Sequence, residues 1–396
     1  MVMKRLKLLL ALVLAVPLPA AAQVRTSLPS LPLLPGSAIG SVAALTPLSP
    51  ALSLTGSLSA PGVPLSADVP TPAPQIVLTP MAVPARDIPA ANGLFPVSER
   101  LDELFKRLDA KYFLAQGTPT AKVRARIRAQ LLNAARDYSN PEADLLETVA
   151  TEADKALVKI QDRLNKGMID PTAKIRLSES DPAVPFSYRP TRIGVYPVAA
   201  DPFQWGHLLI ALRAVGELNV DKVIFVLAGD DVRKPNMTPV EQRHPMGREV
   251  LDIFAPFFEY SPIAVGTTFD GETNIFRILA LNPNQGVEAW YMVGDDHYLL
   301  VDKNGNPDTL PKLERNYSMD MGHNTSLHQL KVAFINREAP TEAVDTRLEV
   351  RFLAHVGFEA SSTQVRNGQH TLMPHAAFDH AQQKGLYGVP PAPAKE

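Results

Sequence analysis

The chain has no cysteine among its 396 residues. This absence excludes disulfide bonds, thiolate metal sites and a cysteine nucleophile. Charge is also scarce, because charged residues make up 20% of the chain and the formal net charge is -2. A chain with so small a net charge has no overall field that would attract nucleic acid or an anionic membrane surface. We therefore expect no nucleic-acid partner, and the sequence carries no signal for an oligomeric state.

Long apolar runs are missing as well, except near the start of the chain. Lys4, Arg5 and Lys7 precede an apolar run over 8–18, and small residues follow up to Ala22. A basic start, a short apolar stretch and a small-residue exit are typical of a secretory signal peptide. We predict a signal peptide over 1–22 and export to the periplasm or the medium. The alternative is a buried N-terminal helix. Because the run is short and no later run is longer, no membrane span is expected.

Proline, by contrast, is abundant, with 37 residues. Over 23–95 prolines recur every few residues among Ala, Ser and Leu, so neither a helix nor a central strand can run far. We predict a disordered linker over 23–95 that tethers the rest of the chain, and a disordered tail over 391–396.

A helical pattern begins at residue 96 and continues to about 186. Apolar residues recur at helical spacing, and the pattern predicts three helices, the first with Ser98 as its N-cap and the others over 120–135 and 142–165. Three arginines in the second helix could form a nucleic-acid surface, but no aromatic residues accompany them, and we expect a solvated face: Arg124, Arg126 and Arg128. We interpret 96–186 as a helical accessory region.

From residue 191 onward, strand patterns and helix patterns alternate. Strands are predicted over 193–197, 222–227, 288–293 and 331–336, with helices over 207–218 and 240–254. This alternation predicts an α/β domain over 187–390, with a Rossmann-like parallel sheet flanked by helices. Ligands of such sheets bind at the carboxyl ends of the strands.

Two segments carry residues suited to binding phosphate. The first, Gly194 to His207, reads as a strand, a tight polar loop and a helix start, where free N–H groups favour an anion. The second, Phe358 to Arg366, combines hydroxyls at a helix start with an arginine, which can form a phosphate clamp. Each segment alone is also compatible with ordinary helix capping.

Together, the two segments resemble the signatures of the nucleotidyltransferase superfamily, G-G-T/S-F-D-P-x-H-x-G-H and I-S-S-T-x-I-R. The matching residues are Asp201, Pro202, Gly206, His207, Ser361, Ser362, Thr363 and Arg366. Pro197 and Val198 stand where the paired glycines usually occur, Ala199 replaces the hydroxyl residue, and Gln204 replaces the first histidine. A glutamine can donate a hydrogen bond to phosphate but cannot carry positive charge.

Further segments are similar to those of nicotinate-nucleotide adenylyltransferases, and the resemblance covers about half of the chain. Lys234, Arg243 and Met246 correspond to a P-P-H-K and R-x-x-M region, Gly294 and Asp296 to a strand ending in G-x-D, and 372–387 to a closing L-V-P…G-L-Y segment. Residues 302–326 have no counterpart and read as an insertion or a reshaped lid.

The resemblance implies transfer of AMP from ATP, accompanied by Mg2+, to nicotinate or nicotinamide mononucleotide, with release of pyrophosphate. It implies catalytic roles for His207, Gln204, Arg366 and Lys234. It implies nucleotide-binding roles for Ala199, Asp201, Gly206, Gly294, Asp296, Ser361, Ser362 and Thr363, and substrate-binding roles for Arg243 and Thr273. The alternative is an exported nucleotide-binding or interaction protein on the same fold, with its catalysis impaired by the altered first motif.

Two groups of histidines and carboxylates could suggest a metal site. Asp295, Asp296 and His297 are adjacent, and we interpret them as a nucleotide-binding loop at a strand end. His370, His375 and His380 recur every five residues, which does not stack them on one helical face, and we expect them at the surface. No resident metal is predicted.

Overall fold

The computed structural model describes residues 96–230, 234, 236–298, 300–320, 327–336 and 345–391. This part of the chain begins with three helices. The helices are α1 (Val97–Lys111), α2 (Pro119–Asp137) and α3 (Ala143–Asn165). The predicted signal peptide, linker and residues 392–396 lie outside the described residues.

The helix starts follow from local capping. The α2 helix begins after Thr118, whose side chain accepts a hydrogen bond from the Ala121 N–H, and Pro119 occupies the first helical position. The α1 helix instead begins after Pro96 without a side-chain cap, so the prediction that Ser98 caps it is wrong. The predicted apolar stripe of α1, from Leu101 to Leu108, is buried.

A six-stranded parallel sheet follows, and it confirms the predicted α/β Rossmann-like fold. Its strands are β1 (Thr191–Val198), β2 (Lys222–Leu227), β3 (Phe258–Ser261), β4 (Val287–Gly294), β5 (Gln329–Asn336) and β6 (Glu349–Ala354). They lie in the order β3-β2-β1-β4-β5-β6, and every neighbouring pair is parallel. The strand order reverses direction between β1 and β4, which is where ligands bind in such sheets.

Six further helices accompany the strands. They are α4 (Trp205–Glu217), α5 (Val240–Asp252), α6 (Gly271–Ala280), α7 (Thr309–Asp320), α8 (Ser362–Arg366) and α9 (His375–Lys384). The α7 helix lies within 302–326, the segment interpreted from the sequence as an insertion or a reshaped lid. Its buried Leu310 and Leu313 join the core on the α6 side of the sheet.

Each face of the sheet has its own core. Along β1, Ile193 and Val195 point to the face covered by α6 and α7, whereas Tyr196 and Val198 point to the face covered by α4. The buried residues of α1–α3 belong to the second of these cores. The helical region therefore continues the core of the sheet, and α3 packs directly on α4.

Arg124 and Arg128 of α2 do not lie on a solvated face, which corrects the sequence prediction for these two arginines. Arg124 is buried, and its guanidinium donates to Asp154 and Asp109 at 3.1 Å each and to the Tyr112 carbonyl at 2.7 Å. Arg128 pairs with the same two carboxylates. These charges are inside because each has a partner, and burying an unpaired charge is strongly unfavourable.

Two of the three histidines expected at the surface are also buried. His375 and His380 are 6% and 8% exposed. His375 contacts Asp137 of α2 at 2.8 Å, and His380 contacts Glu249 of α5 at 3.2 Å. They therefore help to fix α9 against its neighbours, which five-residue spacing alone could not reveal.

Within the described residues, no helix has the length and apolar character needed to cross a bilayer.

Candidate active site

A crevice lies at the carboxyl ends of β1 and β4, and two cavities open into it. The first, which we call the α4 cavity, has a volume of about 240 Å3 and adjoins the start of α4. The second, the α6 cavity, has a volume of about 310 Å3 and adjoins the start of α6. The wall common to both is formed by Pro197, Val198, Ala199, Val293 and His297.

The α4 cavity contains the predicted His207, Gln204 and Gly206. Gln204 is the N-cap residue of α4, but its side chain makes no capping hydrogen bond. It is only 5% exposed, and its Oε1 has no hydrogen-bond partner among the described residues. A buried polar atom without a partner is uncommon and indicates a ligand or water at that place. The positive end of the α4 dipole favours an anion there.

His207 follows on the first turn of α4 and is held by aromatic neighbours. Its ring lies edge-to-face against Tyr196, with centroids 6.3 Å apart, and against Phe203, with centroids 6.2 Å apart. Such contacts fix the orientation of a half-buried ring. His207 is therefore positioned before any ligand arrives.

Gly294 and Asp296 form the facing wall of the α4 cavity, as the sequence suggested. A Cβ atom on Gly294 would lie 2.2 Å from the Asp296 Oδ1. The glycine thus allows the Asp296 carboxylate to fold close to the end of β4. Among the described residues, no group of three or more His, Asp or Glu is arranged to hold a metal ion, Asp295–His297 included.

Arg243 has a different place from the one predicted. It is fully buried, and it donates through Nη1 to the Ala199 carbonyl at 2.7 Å, through Nη2 to the Gly229 carbonyl at 3.2 Å and through Nε to the Thr238 carbonyl at 3.2 Å. It lines neither cavity. In this structure Arg243 fastens together the loops that follow β1 and β2, and its substrate-binding role stays a prediction.

Asp201 is likewise an internal anchor. It is 4% exposed, and its Oδ1 accepts a hydrogen bond from the Tyr387 hydroxyl at 2.9 Å. The Thr238 N–H lies 3.3 Å from both carboxylate oxygens. Burial, and then the charge of Asp201, raises the pKa of Tyr387 well above its usual value, so the hydroxyl remains a donor. Asp201 therefore holds the loop after β1 from within the protein, and its nucleotide-binding role stays a prediction.

The predicted clamp at α8 meets the same loop. The Ser361 hydroxyl caps the Gln364 N–H at 3.2 Å, and the Ser362 hydroxyl donates to the Pro202 carbonyl at 3.0 Å. Arg366 donates to the Asp201 carbonyl at 2.6 Å and to the Thr363 hydroxyl at 3.2 Å. These hydroxyls are engaged within the protein.

The guanidinium of Arg366 is only partly engaged. Its side chain is 42% exposed, and Arg366 lines neither cavity. Ser362 and Arg366 therefore stabilise the loop that follows β1. Of the α8 side chains, the exposed part of the Arg366 guanidinium is accessible to a ligand.

The α6 cavity is lined by charged side chains that the sequence mostly did not indicate. Lys234 was predicted and lies exposed at this cavity. Lys312, from α7, forms a short ion pair with Asp270 and lies 3.8 Å from the Glu272 carboxylate. Thr273 does not line the cavity, although its N–H donates to Asp270 at 2.8 Å.

The shared wall is fitted to the start of α6. A Cβ atom on Gly271 would lie 2.7 Å from both the Pro197 Cγ and the Tyr291 hydroxyl. Burial, followed by the charges of Glu272 and Asp270, raises the pKa of Tyr291 well above its usual value. Pro197 stands where the superfamily signature has a glycine. Its ring packs into the space that the missing side chain of Gly271 leaves.

Several curated proteins are similar to this chain over part of its length. No protein-family model matches it. Three matching curated proteins are each named probable nicotinate-nucleotide adenylyltransferase. The one from Thermoanaerobacter sp. (strain X514) is 36% identical over 81 residues, 19% of this chain and 37% of that protein. The one from Roseiflexus sp. (strain RS-1) is 33% identical over 103 residues, 26% of this chain and 50% of that protein. The one from Clostridium botulinum (strain Eklund 17B / Type B) is 29% identical over 126 residues, 31% of this chain and 60% of that protein.

Part of the chain is therefore similar in sequence to proteins named nicotinate-nucleotide adenylyltransferase. The matches span between 37% and 60% of the length of these relatives. Two solved structures of Plasmodium falciparum nicotinic acid mononucleotide adenylyltransferase, complexed with APC and with NaAD, also align with 50% of this chain and 98% of theirs. Their identity is 10% and their TM-scores are 0.34 and 0.35, too low to support a statement about the site.

The residues that match the signatures fall into two groups in the structure. Six of them line the α4 cavity: His207, Gln204, Gly206, Ala199, Gly294 and Asp296. The others, Asp201, Arg243 and the α8 hydroxyls, make hydrogen bonds that hold the loop after β1 in place. The sequence signal for Asp270 was its position as the N-cap of α6. Lys312 had no comparable signal, because its helix lies in the segment without counterpart.

Proposed function

We propose that the domain transfers AMP from ATP to nicotinate or nicotinamide mononucleotide and releases pyrophosphate. The observation that carries this proposal is the pair of cavities that share one wall at the strand switch point, Pro197–Ala199. Two substrates bound on either side of this wall would present their reacting groups to each other. The names of the curated relatives support the same reaction.

The α4 cavity is assigned to the phosphates of ATP. It has the helix start, His207 and the buried amide of Gln204. Rotation of that amide by 180° exchanges its oxygen and nitrogen, so the unpartnered position becomes a donor to a phosphate oxygen. The α6 cavity then remains for the acceptor mononucleotide, with Lys234 at its edge.

In the reaction, an oxygen of the acceptor phosphate attacks the α-phosphorus of ATP. The new P–O bond forms as the bond to the β-phosphate oxygen breaks, and pyrophosphate leaves. The nucleophile is already an anion, so no general base is required, and catalysis consists of positioning and charge stabilisation. His207 and Gln204 stabilise the α-phosphate. The exposed edge of Arg366 attracts the β- and γ-phosphates, and Lys234, which lines the α6 cavity, does so from across the shared wall.

Mg2+ enters with ATP as part of the substrate. Because the described residues offer no cluster of three metal ligands, the phosphates themselves would supply most of the ligands to the ion. This is the usual situation for Mg2+, which keeps several waters and binds proteins through few side chains.

The test is pyrophosphate release by the full chain with ATP, Mg2+ and each mononucleotide. We expect turnover with at least one of them, and a fall on the order of 100-fold in kcat for His207→Ala, the usual effect of removing one preorganised donor. His370→Ala is the matched control, since His370 lines neither cavity, and it should keep its activity.

Calorimetric titration with ATP and Mg2+ separates binding from turnover. Binding that His207→Ala weakens, without pyrophosphate release for any acceptor, would contradict transfer and leave the nucleotide-binding alternative. Equal loss of activity in His370→Ala and His207→Ala would show that stability, not the site, had been measured.

A further inference from the structure

The wall that the two cavities share contains, among its described residues, one polar side chain, that of His297. The other side chains of this wall are apolar: Pro197, Val198, Ala199 and Val293. Because the ATP phosphates are assigned to one cavity and the acceptor to the other, the two reacting phosphates meet at this wall. His297 is therefore the side chain of the wall that can donate a hydrogen bond to them.

The end of β4 places His297 at this boundary. The strand ends at Gly294, and Asp295–His297 form a short 3-10 helix directly after it. Asp296 lines only the α4 cavity, whereas His297 lines both cavities. The sequence indicated a nucleotide-binding loop here but no separate role for the histidine.

The imidazole of His297 has a nitrogen that the protein does not use. The residue is half-buried, and its Nδ1 is buried without a hydrogen-bond partner among the described residues. Such an atom is uncommon and indicates a ligand or water nearby. Rotation of the ring by 180° exchanges Nδ1 with a ring carbon, so the nitrogen can occupy the opposite edge of the ring. His355 also lines the α4 cavity, but its Nδ1 contacts the Val356 carbonyl at 2.8 Å.

The α4 cavity has little fixed positive charge to offset two phosphates. Among the described residues, no lysine or arginine lines it. Gln204 replaces a histidine of the signature and cannot carry a charge. The acceptor phosphate and the α-phosphate are both anions, and repulsion between like charges opposes their approach. A protonated histidine between them would offset this repulsion and has two N–H donors.

We propose that His297 is a further catalytic residue, which donates an N–H hydrogen bond to a non-bridging oxygen of the α-phosphate and supplies the positive charge that Gln204 lacks. This inference rests on the proposed function. One P–O bond forms to the acceptor phosphate and one breaks to the β-phosphate oxygen, and His297 transfers no proton. The hydrogen bond strengthens as the α-phosphate becomes five-coordinate, so its effect falls on kcat more than on ATP binding.

The first experiment measures pyrophosphate release by the full chain at saturating ATP, Mg2+ and mononucleotide. His297→Ala should lower kcat on the order of 100-fold, while the Kd of ATP with Mg2+, measured by calorimetric titration, should change less than about threefold. His297→Gln keeps an N–H donor without the charge, so its loss should be smaller, roughly tenfold. His370→Gln is the control, since His370 lines neither cavity, and it should keep the original kcat.

The second experiment restores the histidine of the signature. Gln204→His in the original protein should raise kcat less than about threefold, because His297 already supplies the charge. The same change in His297→Ala should raise kcat about tenfold, since the two side chains would then substitute for each other. A histidine that only supported the fold could not be replaced in this way.

A kcat of His297→Ala within about threefold of the original value would overturn the role of His297 and leave the proposed function standing. Equal gains from Gln204→His in both backgrounds would overturn the substitution of one charge for the other. If thermal unfolding shows that His297→Ala does not fold, His297→Gln provides the same comparison. Absence of pyrophosphate release by the original protein with either mononucleotide would overturn the proposed function, and the role of His297 with it.

Discussion

Two buried arginines show how differently the two parts of the molecule are held. Arg124, in the helical region, is paired with the carboxylates of Asp154 and Asp109. Arg243, beside the crevice, donates instead to three backbone carbonyls on two loops, Ala199 after β1 and Gly229 and Thr238 after β2. The first joins helices through opposite charges, and the second shapes loops through neutral acceptors. The comparison separates residues that support the fold from those that support the site.

The difference follows from what each region has to position. Helices present side chains, so charged side chains on neighbouring helices can meet, as in α1–α3. Loops present carbonyl groups that need donors when they are buried. A guanidinium has five N–H donors in a planar fork, which suits it to joining several loops at once.

The largest effect is expected for Arg243→Met. Three buried carbonyls would lose a charged donor, and the free energy of unfolding should fall on the order of 4 kcal/mol. Because the Ala199 and Gly229 loops border the cavities, pyrophosphate release by the remaining folded protein should fall by roughly 100-fold. Urea unfolding and steady-state kinetics measure the two effects.

The control for Arg243 lies on the same helix. Arg248 is exposed and stacks over Tyr260, and Arg248→Met should cost less than about 1 kcal/mol. If Arg243→Met lost no more stability or activity than Arg248→Met, the role assigned to its three hydrogen bonds would be refuted.

The next largest effect concerns the helical region. Arg124→Met leaves the buried Asp154 with Arg128 as its remaining partner, and the free energy of unfolding should fall by roughly 3 kcal/mol. Since Arg124 lines neither cavity, kcat of the folded fraction should stay within about twofold of the original value, well below the effect of a lost catalytic donor. Adding Asp154→Leu should restore part of the stability, because no uncompensated charge remains. A loss of kcat without a loss of stability would contradict the separation between the two regions.

Much of the fold could be predicted from the sequence, and the exceptions have physical causes. The central strand β2 is a fully buried, mostly apolar run, and its bounds were predicted correctly. The other predicted strands, β1, β4 and β5, are one to two residues longer at their ends than predicted. The edge strand β3 has four residues, half of them partly exposed, and β6 is mostly exposed. Such strands lack a clear apolar period and depend on their neighbours.

The site was predictable in its members but not in their contacts. The signature pointed to His207, Gln204 and Gly294, which do line one cavity. It could not show that Arg243 bonds to backbone carbonyls or that the Asp201 carboxylate accepts from the Tyr387 hydroxyl, because these partners lie at other places in the sequence. A motif specifies which residue types occur at which positions in the sequence. Hydrogen-bond partners depend on the tertiary structure, which brings together residues that are distant in the sequence.

A smaller effect is expected at the wall between the two cavities. Gly271→Ala would place a methyl group 2.7 Å from Pro197 and the Tyr291 hydroxyl, and overpacking of this kind costs about 1–3 kcal/mol. Pro197→Gly alone, although it restores the residue of the signature, removes the ring that fills this space and should lower stability. The double variant should be more stable than the sum of the single effects by about 1 kcal/mol. Additivity in this double-mutant cycle would refute the packing relation.

The smallest effect is a dependence of stability on pH that arises beside Arg243. Burial, with the charges of Arg243 and Arg248, lowers the pKa of His244, although the Ala228 carbonyl opposes the shift. His244 contacts the Tyr260 hydroxyl at 2.6 Å and the Ala228 carbonyl at 3.0 Å, and it is therefore buried uncharged. A group whose folded pKa is depressed binds protons more readily when the chain unfolds, so its stabilising contribution is present above about pH 6.5 and decreases as the pH falls from there toward the folded pKa. His244→Asn should flatten the curve of unfolding free energy against pH in that window, while His370→Asn should not. Parallel curves for the original protein and His244→Asn would show that the uncharged state of His244 does not contribute to this edge of the crevice.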